Sequence, residues 1–215
     1  MSNFKKRFFI SLLAFPIIYI LLYQKIFSNI LIVIVCLFCV YEWNKIFKKK
    51  NYIYLTGLLI LLFFFLSLLK IYNLEDYNLK FLWLILIAWL SDIGGYIFGK
   101  LFGGPKLIKI SPNKTWSGAF GSLILSQFAC LIFFLDSDYK LNFNIFFYQI
   151  LLSIIGQIGD ILMSYIKRIN DKKDTSNFIP GHGGFLDRLD GLIWIFIFGY
   201  FLIPILLLYK LLYTS

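Results

Sequence analysis

Four aspartates and a set of basic residues hold most of the chemistry this sequence could perform. Asp92 and Asp160 fall inside apolar runs, Asp190 opens another, and Asp187 stands three residues before Asp190 on the same helical face. A charge at a bilayer centre costs roughly 2.5–3.5 kcal/mol on insertion scales, so such residues persist where they face a polar cavity, a partner or a metal. Asp160, Ser164 and Lys167 recur at i, i+4 and i+7 on one face, with Arg168 beside them. Pro180-Gly181-His182-Gly183-Gly184 follows. A glycine-rich backbone can present several N–H groups to a phosphate; alone this pattern is only a turn, but here it stands among carboxylates and basic residues. A second loop holds Gly103-Gly104-Pro105-Lys106 and Ser111-Pro112-Asn113-Lys114-Thr115-Trp116, types that suit phosphate oxygens. Carboxylates bind hard divalent cations such as Mg²⁺, which in turn bind phosphate, and Lys and Arg neutralise the remaining charge. The set therefore points to phosphoryl or nucleotidyl transfer at a membrane surface. Walker A, H-E-x-x-H and G-x-S-x-G motifs are absent, and with His182 the single histidine, acyl-enzyme chemistry is disfavoured.

The elements that must position these residues are membrane helices. Of 215 residues, 60% are hydrophobic and 20% aromatic, and the mean hydropathy is +0.81. A soluble domain usually holds about 45–50% apolar residues. Seven apolar segments are visible, near 8–24, 27–46, 52–69, 81–99, 117–135, 143–165 and 189–209. Backbone in lipid must satisfy its own hydrogen bonds, and the period-2 alternation of a barrel is missing, so the expectation is an all-α polytopic integral membrane protein with about seven transmembrane helices. Three spans would fill residues 1–80. Four would form a catalytic domain over 81–215, with loops 100–116 and 167–188 on one side. The start, Lys5-Lys6-Arg7 and then Phe8–Tyr23, resembles a signal peptide but lacks a small-x-small cleavage site, so it reads as a retained first helix. Cys36-x-x-Cys39 lies within an apolar run without a second pair, so both read as buried core thiols rather than zinc ligands.

Sixteen of the 21 Lys and Arg fall on the side of the amino terminus, which places that terminus in the cytoplasm. The net charge of +10 thus reads as topology and contact with anionic lipid, not as nucleic-acid binding. In this orientation Asp92 lies about 10 Å from the inner end of its helix, Asp160 at a similar depth, and Asp187 and Asp190 at the cytoplasmic mouth of the last helix. Three helices should therefore bring carboxylates to one level. A structural polar network and a cation or proton transporter are the competing readings. A transporter needs charges lining a path to both faces, whereas the outer acids here (Glu75, Asp76, Asp136, Asp138) are loop residues.

Ser164-x-x-Lys167-Arg168, then Lys173-Asp174, then Pro180-Gly181-His182-Gly183-Gly184-Phe185-Leu186-Asp187-Arg188-Leu189-Asp190 resembles the signature of the phosphatidate cytidylyltransferases, also called CDP-diacylglycerol synthases. The resemblance extends to Ser91-Asp92-Ile93-Gly94-Gly95-Tyr96 and to the Ser111–Trp116 loop, and covers about 90–200. It implies the reaction of CTP with phosphatidate to give CDP-diacylglycerol and pyrophosphate. It implies Mg²⁺, with a monovalent cation such as K⁺ as a further partner, and a site on the cytoplasmic face of a cell (inner) membrane. Relatives of this kind suggest a homodimer. On this reading Asp160 and Asp187 bind metal, with Asp190 and Asp92 as further ligands or support. Lys167, Arg168, Lys173, Arg188 and Lys114 hold phosphates, with Ser111, Thr115 and Ser164 orienting them. Asp174, His182, Gly183 and Gly184 shape the nucleotide loop. Two positions depart from the family, which often has Lys at Asn113 and Glu at Ser117. The chain is also shorter than many relatives; the difference lies far from the signature, so activity is expected to survive it. A CTP-dependent transferase acting on another lipid, such as an isoprenoid ether phosphate or a polyprenol, is the enzyme alternative.

Overall fold

The computed structural model describes residues 25–47, 51–74, 77–108, 111–135, 143–176, 178 and 183–213. The first expected span (8–24) and His182, with Pro180 and Gly181, lie outside the described residues.

The apolar runs fold as helices with ends set by local chemistry. Helix α1 spans Lys25–Ile46, α2 Tyr52–Tyr72 and α3 Tyr77–Phe102. Asn51 caps α2 by accepting from the Tyr54 amide at 3.0 Å, which satisfies one of the orphan N–H groups of a first turn. Helix α4 is Trp116–Ser126, α5 Phe143–Ile169 and α6 Leu186–Tyr213. Four helices among the described residues are long and apolar enough to cross a membrane: α1, α2, α3 and α5. At 1.5 Å per residue, the 21 residues of α2 reach about 32 Å, close to the ~30 Å hydrocarbon core.

Two features differ from the expected set of uniform helices. The run 117–135 is not one α-helix: α4 gives way to a 3-10 segment over Gln127–Leu135. At the junction Ser126 Oγ (3.0 Å) and Gln127 Nε2 (3.0 Å) both donate to the Leu123 carbonyl, so side chains compete for the acceptor that an α-helical amide would use. The loop 100–116 is likewise not irregular. It contains an antiparallel hairpin, β1 (Lys106–Ile108) with β2 (Ser111–Thr115), pairing Lys106 with Thr115 and Ile108 with Ser111 around a bulge. Gly103 and Gly104 turn the chain out of α3 into it at φ of +58° and +102°, a conformation that disfavours a Cβ.

Helix α3 is the hub, packed most extensively on α4 and also on α5 and α6. The α3–α4 contact is a backbone approach: a Cβ on Gly94 would collide with the Gly121 carbonyl. Trp83, Leu84 and Phe196 are fully buried, with Phe81 and Phe196 rings 4.8 Å apart edge to face. Trp43 of α1 fills the space over Gly57 of α2 and donates its Nε1–H to the Tyr54 carbonyl at 3.0 Å. The outward faces carry exposed Leu, Ile and Phe, as expected of helices solvated by lipid. Cys36 is partly buried and Cys39 fully buried, and both are free thiols.

Candidate active site

A cavity of about 240 Å³ opens where α3, the hairpin, α4, α5 and α6 converge. Asp92 enters from α3, Asp160 from α5, and Asp190 with Arg188 from α6. Lys114 and Thr115 enter from β2. Three carboxylates on three helices thus face one space with two cationic side chains. Asp92 lies in the field of Asp160, Lys114 and Arg188. Asp190 lies in the field of Asp160, Asp92 and Lys167, and accepts from the Gly191 amide at 2.9 Å.

Small residues make this convergence possible. Gly159, next to Asp160, lies under the Trp194 indole of α6, where a Cβ would strike the ring. Gly156 and Gly191 likewise let α5 and α6 touch, bringing Asp160 and Asp190 to one cavity. The deeper wall is hydroxylic: Ser91 and Ser153 share a hydrogen bond of 3.0 Å, and Ser122 Oγ donates to the Ser91 carbonyl at 2.7 Å. Lys114 forms an ion pair with Asp160; the two side chains are 25% and 34% exposed, although the Lys114 ammonium nitrogen itself is buried. The hairpin is what aims Lys114 inward. Thr115 ends it and caps α4, accepting from the Gly118 amide at 3.1 Å. Ser117, one of the two positions where the resemblance breaks, hydrogen-bonds Thr115 at 3.0 Å and donates to the Gly103 carbonyl, tying the α3 exit to the α4 entry.

Asp187 and Lys167 do not line this cavity, although the Lys167 charge acts on Asp190. They form an ion pair at 2.6 Å with side chains only 5% and 9% exposed. Asp187 also accepts from the amides of Thr175 and Gly184, each at 2.8 Å. Asp187 precedes the apolar run that starts at Leu189. Burial works against its charge, but the Lys167 ammonium and the Gly184 and Thr175 amides outweigh that and hold its carboxyl below the usual carboxylate value. Ser164 is half-buried on α5 and is not part of the cavity wall. Arg168 is exposed and donates to the Lys172 carbonyl at 2.8 Å. Lys173 and Asp174 are exposed on the 170–176 turn, with Asp174 against Gly183. Gly183 takes φ of +83° beside Asp187. Ser111 is half-buried in β2, away from the cavity.

Sequence reasoning missed Glu42. It is 1% exposed on α1 and accepts four hydrogen bonds from the segments on either side of the glycine-rich loop. The signal was available: Glu42 is an acid within the apolar segment 27–46, which carries the same desolvation cost that singled out Asp92 and Asp160.

The donor set suits a hard divalent cation, since all three cavity carboxylates supply oxygen and their charges exceed those of Lys114 and Arg188 by one. Among the described residues no three acids, histidines or cysteines form a ready-made metal cluster. Mg²⁺ does not require one, because it is commonly held by one or two carboxylates together with water and phosphate oxygens.

Comparison with known proteins decides the family. The model of the Cytidylyltransferase family matches residues 6–206. The chain belongs to the cytidylyltransferase family. The family match includes all five elements that build the cavity, as well as α1 with Glu42. Among its relatives is the phosphatidate cytidylyltransferase of Rickettsia bellii (strain RML369-C), 37% identical over 190 residues, covering 80% of this chain and 78% of that protein. The protein of the same name from Bacillus subtilis (strain 168) is 36% identical over 140 residues, 64% of this chain and 52% of the relative. That of Staphylococcus haemolyticus (strain JCSC1435) is 43% identical over 116 residues, 53% and 45%. The match thus spans about half the length of the latter two relatives and more than three quarters of the first.

Proposed function

We propose that this family member is a phosphatidate cytidylyltransferase, converting CTP and phosphatidate to CDP-diacylglycerol and pyrophosphate. The observation that carries the reading is the single cavity where Asp92, Asp160 and Asp190 from three helices meet Lys114 and Arg188. The names of its relatives support the choice of reaction. A phosphate oxygen of phosphatidate attacks the α-phosphorus of CTP. The bond from that phosphorus to the α–β bridging oxygen breaks, and the electron pair leaves with pyrophosphate. The lipid phosphate is already anionic near neutral pH, so the demands are alignment and charge neutralisation rather than a strong base.

Asp92, Asp160 and Asp190 would hold Mg²⁺, which supplies charge neutralisation at the triphosphate. Lys114 can exchange its carboxylate partner for a phosphate, and Arg188 offers a planar fork to another. Gly118, Ala119 and Gly156 form part of the wall. Asp187 and Lys167 then serve by shaping the loop ahead of α6. The excess of basic residues on one side supports a cytoplasmic amino terminus, seven spans and a site facing cytoplasmic CTP, in the inner membrane of a bacterium. A monovalent cation such as K⁺ and a homodimer belong to the same reading.

Purified protein with CTP, Mg²⁺ and phosphatidate should release pyrophosphate in a lipid-dependent manner. Asp160→Asn should lower that rate by at least about 100-fold while the protein stays folded. A folded Asp160→Asn variant with the wild-type rate would remove Asp160 from the chemistry.

A further inference from the structure

Glu42 lies on α1, outside the cavity, yet its carboxylate is fully engaged by the segment that leads into α6. Its Oε1 accepts from Ser176 Oγ at 2.6 Å and from the Phe185 amide at 2.9 Å. Its Oε2 accepts from Thr175 Oγ1 at 2.8 Å and from the Leu186 amide at 2.7 Å. Four donors occupy the roughly four lone-pair sites of one carboxylate. The partners come in two pairs, Thr175 and Ser176 before the glycine-rich loop, Phe185 and Leu186 after it. One side chain from α1 therefore clamps both ends of that loop.

The second pair has a further consequence. Phe185 and Leu186 supply the first amides of α6, which have no intrahelical acceptor. A buried negative charge there also complements the positive end of the helix. Arg188 and Asp190 follow within the next turn and line the cavity.

We propose that Glu42 is a positioning residue for the transfer reaction: it sets the α6 amino terminus and so places Arg188 and Asp190 against the triphosphate. The proposal rests on the cytidylyltransferase reading for its kinetic consequence only. It makes α1 part of the catalytic unit, whereas sequence reasoning had given residues 1–80 no role beyond anchoring. The amide of Gln keeps one acceptor oxygen but turns its NH2 group toward two of the four donors, so a near-isosteric change removes about half the bonds.

The test uses the full chain in lipid nanodiscs, comparing wild type, Glu42→Gln and Trp43→Phe. Trp43→Phe loosens the neighbouring α1–α2 packing and the space Trp43 shares with the Leu186 side chain, but leaves the Glu42 carboxylate and its four donors in place. Hydrogen–deuterium exchange of the Phe185 and Leu186 amides should quicken about tenfold or more in Glu42→Gln and stay unchanged in Trp43→Phe. Steady-state kinetics should show kcat/KM for CTP falling about tenfold or more in Glu42→Gln, with the KM for phosphatidate held within about twofold. Trp43→Phe should lower the thermal midpoint but keep both constants. Unchanged amide exchange in Glu42→Gln would overturn the proposal, as would equal kinetic losses in both variants. If the wild-type protein transfers no cytidylyl group, the reaction assignment fails, and the exchange comparison alone decides the clamp.

Discussion

Asp187→Asn should unfold before it reveals anything about catalysis. The Asp187–Lys167 pair is 5% and 9% exposed, and Asp187 takes two backbone amides as well. Removing one partner of a buried pair leaves an uncompensated charge and typically costs about 3–5 kcal/mol. For a chain of this size that corresponds to a fall in thermal midpoint of about 10 °C. Asp160→Asn breaks an ion pair too, but one whose side chains are 34% and 25% exposed, so its loss of stability should be smaller than that of the buried pair. The double variant Lys167→Met/Asp187→Asn removes both buried charges and should recover much of the lost stability. The assay is thermal unfolding in a fixed detergent, paired with pyrophosphate release. Asp187→Asn should lose stability and activity together, whereas Asp160→Asn should lose activity alone. An Asp187→Asn variant with the wild-type midpoint and no activity would refute the separation of a loop-holding pair from a catalytic trio.

The depressed carboxyl of Asp187 gives a pH dependence with a definite sign. Its contribution to stability is complete above the ordinary carboxylate value near 3.8 and is lost as pH falls through the lower folded-state value, so the midpoint gap between wild type and Asp187→Asn should narrow below about pH 4. Gly184→Ala should be inactive and strongly destabilised, because the new Cβ would collide with Thr175 Oγ1 and lie 2.6 Å from Glu42 Oε2; a folded, active Gly184→Ala protein would mean that the loop is looser than described. Lys114→Met should lower kcat/KM for CTP by about 100-fold with a midpoint change of only a few degrees, read by the same pair of assays.

The cavity was partly legible because depth in a membrane can be counted along a helix. Asp92 and Asp160 were assigned to one level from the distribution of Lys and Arg, and Asp190 to the cytoplasmic mouth nearby. The three share one cavity. For Asp187 and Lys167, expected to hold metal and phosphate, the structure shows an ion pair with each other, which spacing did not reveal. Both lie at signature spacing on helical faces, but spacing does not say whether a carboxylate faces an open cavity or the amides of its own loop. The hairpin escaped notice because five strand residues containing a proline carry little alternation. Glu42 was hidden for another reason: its partners are more than 130 residues away, two of them hydroxyls outside the signature and two of them backbone amides, which no side-chain pattern marks.

The identity of the products decides which reaction the cavity performs. The purified chain, in vesicles containing phosphatidate, would be given CTP labelled at the α-phosphate, with and without Mg²⁺. Label is expected in CDP-diacylglycerol, with one pyrophosphate per lipid product, and no transfer without the divalent ion or to a polyprenyl phosphate offered instead. Label appearing only on the polyprenyl phosphate, or in CMP without lipid product, would contradict the assignment.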